Sequence, residues 1–261
     1  MSTFLQDFTL SLDSKWAEID TLISRAKELK TEDAAFYNAI CRSTTVLIVA
    51  HLEGFTKDLI KNVVADLNRS DSFVMLPNAV KRTYCVKYIG APVDGDSKSY
   101  NKKIETLISK FDDLNSKISH EPFFYSRNKN PSSSVLITAF ENFGITKVFD
   151  YLHESELDVI FSSSVPEARE KSALLKNLVV TGSEIYPYKI EGLGLGIEKK
   201  KTSKKTLWEE FVDQINAKRH LVAHGNEFDN NDDISELERR RVIVELLQYA
   251  LIAIMIESLN G

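Results

Sequence analysis

The sequence predicts an all-α fold, with two long helices first, two long helices last and an irregular, partly helical stretch between them. Three observations predict it. Apolar residues recur at spacings of three and four over long segments near both ends of the chain, which is one face of a helix. Only 10 glycines and 6 prolines punctuate 261 residues, too few for a sandwich or barrel built on tight turns. No βα alternation and no internal repeat is present. With 43% hydrophobic and 27% charged residues the chain has the composition of an ordinary globular protein. It is read as one domain over residues 1–261, with scaffold helices at about 10–70 and 205–260 and an insertion at about 71–204.

The elements follow in order. Residues 11–30 place Leu12, Trp16, Ile19, Ile23, Ala26 and Leu29 on one helical face. A second helix starts after Thr31, with Glu32 and Asp33 in its first turn. It runs to about Leu67 on the stripe Ile48, Leu52, Phe55, Leu59, Val63 and Leu67. Residues 43–50 carry no charge on any side, so this middle is expected to be buried from several directions. His51 and Glu53 flank the stripe and need partners, because burying a polar group unpaired is costly.

Residues 68–100 lose the periodicity, with a short helix expected at 80–88. Residues 100–118 regain it through Ile104, Leu107, Ile108, Phe111 and Leu114. A loop at 128–134 precedes a short helix at 135–142 that Gly144 ends, and a turn follows at 146–152. Residues 157–161 are too short to classify. A helix at 166–178 has Glu167 and Glu170 near its positive end. Residues 181–198 read as loop or small hairpin. Gly192, Gly194 and Gly196 there make no dinucleotide fingerprint, since no strand and helix flank them. Lys199, Lys200, Lys201, Lys204 and Lys205 form a flexible basic run.

The next helix carries Trp208, Val212, Ile215, Arg219 and Val222 on one face and stops at Gly225. It brings Arg219, His220 and His224 within six residues of one another. An acidic turn follows (Glu227, Asp229, Asp232, Asp233), with which Arg239, Arg240 and Arg241 are expected to pair. Ser235 and Glu238 have capping-box spacing and are expected to open the last helix. Its faces are Leu237, Val244, Leu247, Leu251 and Met255, with Ile243, Leu246, Ala250 and Ile254 beside them.

With 33 basic and 38 acidic residues the net charge is -5, so a nucleic-acid site would have to be a local basic patch. Cys41 and Cys85 form no disulfide framework and read as small buried hydrophobes of a reduced, cytoplasmic protein. The first twelve residues lack the basic start of a secretory signal. The most apolar run, residues 249–256, falls short of the roughly 20 residues that span a bilayer, so no membrane is expected.

Arg219-His220-Leu221-Val222-Ala223-His224-Gly225 resembles the Arg-(polar)-x3-His signature of the HEPN superfamily, here as Arg-x4-His followed by glycine. Ile48-Val-Ala-His51-Leu-Glu53-Gly-Phe55 resembles the His-Leu-Glu-x-Phe helix of its RiboL-PSP branch. Residues 134–145, with Phe143-Gly144-Ile145, are similar to an inserted segment of the same branch. The resemblance implies an antiparallel helical bundle, a two-fold dimer through the motif helices, and metal-independent RNA cleavage. It also implies a setting as a toxin or phage-defence effector, with an antitoxin or defence-system partner. Non-catalytic members that bind RNA, nucleotide or a partner protein, and a purely structural dimerising bundle, are the alternatives.

Metal-free cleavage needs a base for the ribose 2′-hydroxyl, an acid for the departing 5′-oxygen and a cation for the phosphorane charge. His224 suits the first two roles, because an ordinary imidazole titrates near pH ~6.5. Arg219 suits the third, through a fork that matches two phosphate oxygens. His220 and Glu53 are supporting candidates, Glu53 by accepting from Arg219 or a histidine. The five lysines at 199–205 are the candidate RNA-binding run. His220 and His224 also have i,i+4 metal-ligand spacing, but no glutamate follows the first histidine; no metal and no cofactor are expected.

On a continuous helix Arg219 and His224 lie about 140° apart. They converge only if the helix breaks near Ala223 or if a dimer shares them.

Overall fold

Thr3 opens the first helix by accepting from the Gln6 amide at 3.0 Å, and the chain is helical from there. The computed structural model describes residues 2–70, 72–90, 92, 97–124, 131–190, 199–200, 202–225 and 232–259. Among these residues there are α-helices and 3-10 turns and no strand. The helices are α1 (Phe4–Leu29), α2 (Ala34–Ser70), α3 (Asn78–Ile89), α4 (Ser97–Asp113), α5 (Ser133–Glu141), α6 (Val165–Gly182), α7 (Leu207–Ala223) and α8 (Ile234–Leu259). The all-α expectation holds.

Four helices build the bundle: α1, α2, α6 and α8 pack on one another. Their directions follow from paired side chains. Lys15 meets Asp58 at 3.0 Å, and Asp66 near the end of α2 accepts from the amides of Phe4 and Leu5 at 2.8 and 2.9 Å. α1 and α2 are therefore antiparallel. Trp16 donates to Gln248 at 3.0 Å and Lys27 to Glu238 at 2.7 Å, which makes α1 and α8 antiparallel too. α8 occupies the centre: from Arg241 to Ile256 every residue except Glu245 is buried. By length and hydropathy α8 would pass for a membrane-crossing helix, but 83% of its apolar window is buried inside the bundle.

α6 differs from its reading as part of the insertion. It packs along α8 and α1, with Ser172 donating to Glu245 at 3.1 Å and Lys176 pairing with Asp13 at 2.5 Å. Its buried stripe is Ala168, Ser172, Leu175, Val179 and Gly182. Small and weakly polar residues in that stripe let the helix approach closely while muting its apolar pattern. Ser164 and Glu167 form the capping box that starts it.

The rest of the insertion is more helical than its punctuation suggested. α3 and α4 form a hairpin that seals Phe73, Tyr84 and Phe111 into one aromatic cluster. Residues 157–161 belong to a 3-10 turn, Glu156–Phe161. Residues 183–190 contain turns and no strand, and the glycine run 192–196 lies outside the described residues.

α5 ends where Gly144 takes φ +87°. A Cβ there would lie 2.9 Å from the Ala79 Cβ, so Gly144→Ala meets both backbone strain and a clash with α3. A loss of about 2 kcal/mol is expected, read as a lower urea midpoint with an unchanged slope.

The last helix opens differently from its expected capping box. Asp233 takes the cap position: its backbone carbonyl accepts from Glu236 and Leu237, and its carboxylate from the Ile234 amide at 2.7 Å. Ser235 therefore sits inside the helix, and Glu238 reaches Lys27. Among the described residues, only Arg240 of the arginine triplet pairs with the acidic turn, through Asp232 at 2.8 Å. Arg239 donates to the carbonyls of Ile160, Phe161 and Ser163, capping the end of the 3-10 turn. Arg241 is buried over the Trp16 ring between Asp20 and Glu245. Both cysteines are free and buried, and burial drives the Cys85 thiol up to about 11.

Candidate nuclease site

α7 is positioned at both ends. Thr206 and Glu209 form a capping box at its start, a Thr-x-x-Glu signal that is present in the sequence but was not read there. Trp208, Phe211, Val212 and Ile215 are buried. Trp208 donates to Asp158 at 2.8 Å and lies edge-on to Phe161 at 4.8 Å. Asp213 accepts from the amide and hydroxyl of Ser133 at 2.9 Å, which ties α7 to the start of α5. Burial opposes ionisation of this carboxylate, but the Lys205 and Ser133 bonds outweigh it and its pKa is lowered.

At the other end, buried Asp232 gathers three elements. It lies 3.8 Å from Lys218 on α7, 2.8 Å from Arg240 on α8 and 3.3 Å from Thr45 on α2.

The motif occupies the last turn and a half of this helix. Arg219 is half-buried, in line with the apolar face on which its spacing places it, whereas His220 and His224 are exposed. The helix ends at Ala223 and His224 is its C-cap, with φ -94° and ψ 5°. The His224 amide donates to the His220 carbonyl at 3.1 Å, and Gly225 then takes φ +70°. The backbone thus stays close to helical through His224 and turns away only after it.

The consequence is visible in the rings. His224 stacks on His220, with centroids 4.8 Å apart and planes 27° from parallel. The near-helical backbone at His224 keeps the divergence from Arg219 at about 140°. Among the described residues no group of three His, Cys, Asp or Glu side chains has a metal-ligating arrangement.

Beside the motif, Val222 and Ala223 line a cleft of about 500 Å³ with Ala39, Arg42, Ser43, Val46 and Leu47 of α2. Leu221 on the motif turn and Phe36 at the start of α2 expose large apolar surface. Asn216, one turn before His220, has a buried side-chain oxygen with no hydrogen-bond partner among the described residues; it was not singled out in the sequence.

Two sequence expectations change. Glu53, expected to accept from Arg219 or a histidine, instead takes Lys57 at 2.6 Å, one turn along α2. The end of α7 meets α2 through residues 39–47, and Glu53 lies six residues or about 9 Å beyond them along the helix axis. Three lysines of the basic run are anchored. Lys199 donates to Thr146 at 2.5 Å and lies over the Tyr151 ring, Lys200 reaches the Glu154 carbonyl at 2.7 Å, and Lys205 pairs with Asp213 at 2.7 Å. Lys204 is exposed and lines a separate cleft of about 370 Å³ with Lys147 and Asp150; Lys201 lies outside the described residues.

His51 behaves as a core histidine. Its ring packs on Trp16 at 5.4 Å, Nε2 is 4.0 Å from Glu18, and its buried Nδ1 has no partner. Burial pushes its pKa below the usual value, and Glu18 only partly opposes this. The unfolded chain then takes up the proton first as pH falls. Stability is lost from about pH 6.5 downward, until the folded-state pKa is passed. Thermal melts between neutral and mildly acidic pH should show this loss in the parent and a smaller one in His51→Gln. Equal pH dependence in both would remove His51 as its source.

An all-helical bundle with Arg-x4-His at the exposed end of a side helix is the arrangement expected of the HEPN class. The family model described as RiboL-PSP-HEPN matches residues 12–257, and the chain belongs to that family. No curated protein and no solved structure matches the chain.

Proposed function

We propose that the chain is a metal-independent endoribonuclease that works as a two-fold dimer, in the setting of a toxin or phage-defence effector. The observation that carries this reading is the end of α7, where an exposed C-cap histidine and a half-buried arginine stand beside an open cleft against α2. Membership of the HEPN family supports it, because HEPN domains are often ribonucleases.

One protomer offers Arg219 and His224 on diverging faces. A second copy related by a two-fold axis supplies a second pair to the same cleft, and its contact covers Leu221 and Phe36. His224 of one copy takes the proton of the ribose 2′-hydroxyl, and the oxygen attacks the neighbouring phosphorus. His224 of the second copy gives a proton to the departing 5′-oxygen as the P–O5′ bond breaks. Arg219 holds the charge that builds on the non-bridging oxygens. His220 stacks against His224 and restricts the rotation of that ring.

The products are a 2′,3′-cyclic phosphate and a 5′-hydroxyl. Purified protein incubated with RNA and an excess of chelator should leave those ends. An absolute requirement for added divalent metal would end the reading.

A further inference from the structure

The α3–α4 hairpin is charged against the rest of the chain. Its two helices carry seven Lys and Arg against three Asp and Glu, in a chain of net charge -5. Lys81 is the buried exception, paired with Asp112 at 3.0 Å. Along the outside of the hairpin runs a groove of about 500 Å³. Ile89 and Leu107, both half-buried, line it, and the exposed Lys102, Lys103 and Lys110 edge it. None of these three ammonium groups has an acidic partner among the described residues.

Tyr88 stands in the same groove, 57% exposed yet held in place. Its hydroxyl donates to the Tyr84 hydroxyl at 3.2 Å. Its ring meets Tyr84 edge-on at 5.3 Å and lies 6.0 Å from Phe111. An aromatic ring fixed by its neighbours while its surface stays in water is a preformed stacking platform.

We propose that this groove is a docking track for single-stranded RNA, with a base stacked on Tyr88 and the backbone phosphates held by Lys102, Lys103 and Lys110. A single strand alternates flat apolar bases with one negative charge per nucleotide, which matches a fixed ring and an apolar floor edged by unpaired lysines. A duplex keeps its bases stacked inside and offers this surface only phosphates. An acidic peptide satisfies the lysines but has no flat base for the ring. The proposal rests on RNA as the substrate and adds a grip on the strand outside the Arg219–His224 turn.

The probe is a short fluorescent 2′-O-methyl oligoribonucleotide, which cannot be cut by 2′-hydroxyl attack, so binding is read apart from cleavage. Fluorescence anisotropy should show Lys102→Gln/Lys103→Gln/Lys110→Gln weakening binding about tenfold or more at low salt. The slope of log affinity against log salt should fall by about 2. Tyr88→Ala should weaken binding about tenfold with the slope unchanged, and Tyr88→Phe, which keeps the ring, should retain it. Unchanged affinity and slope in the lysine variant would overturn the proposal, as would equal competition by duplex RNA or polyglutamate. If these variants lose binding while the parent protein cuts no RNA, the groove stands and the cleavage mechanism falls.

Discussion

His224→Ala is expected to lower RNA cleavage by about 10²–10⁴-fold, the usual contribution of a positioned proton-transfer group. The helical circular dichroism signal and melting temperature should stay those of the parent, because the side chain is exposed and its structural role is made by its backbone. Arg219→Ala should cost about 10²–10³-fold through loss of charge stabilisation at the phosphorane. Arg219→Lys should recover little of this, since a point charge does not reproduce the two-pronged fork. Sedimentation of the parent should give twice the chain mass. Full cleavage by His224→Ala, or full activity in a strictly monomeric protein, would discard the shared-site mechanism.

Asp66→Ala should cost about 4 kcal/mol of stability, a fall in melting temperature of about 10 °C for a chain of this size. Asp66 is 1% exposed, and its carboxylate accepts three hydrogen bonds, from the amides of Phe4 and Leu5 and from the Tyr188 hydroxyl at 2.8 Å. Two of these come from the open first turn of α1, where helix donors lack partners and a negative charge is favoured. Burial beside Asp66 drives the Tyr188 hydroxyl far above its usual pKa, so it remains a donor at every ordinary pH. Removing the carboxylate strands all three donors at once. Tyr188→Phe removes one bond and should cost about 1.5 kcal/mol. A smaller loss for Asp66→Ala than for Tyr188→Phe would show that the α1 terminus gains nothing from Asp66.

Much of this architecture is legible in the sequence, for a physical reason that also marks where legibility ends. α1 and α2 show their buried stripes because those stripes are large and apolar, from Leu12 and Trp16 to Val63 and Leu67. α8 reads as apolar on several sides because it is the centre of the bundle. α6 is legible as a helix but not as part of the bundle, because Ala168, Ser172 and Gly182 in its stripe give little hydrophobic signal.

Capping boxes have the same limit. Ser164/Glu167 and Thr206/Glu209 form boxes, but Ser235/Glu238 does not, because Asp233 two residues earlier takes the cap. The Arg219–His224 turn stands out in one dimension because its residues are close in sequence. Glu53 pairs with Lys57 at the local i,i+4 spacing, whereas the lysines at 199, 200 and 205 find partners eight or more residues away that no local pattern specifies. Each satisfies its charge or donors on a near neighbour in space.

The central position of α8 also sets the order of events during synthesis. On the ribosome α1 and α2 emerge first, with the stripes that α8 must cover still open to water. Their contacts with it span most of the chain, as the Trp16–Gln248 bond illustrates. Such long-range closure is slow and leaves nascent chains prone to stick to one another. The motif turn is made before α8, yet Asp232 and Arg240, which hold that turn against α2, follow it. A ribosome-bound chain that stops short of α8 therefore has the motif residues but not the framework that poses them.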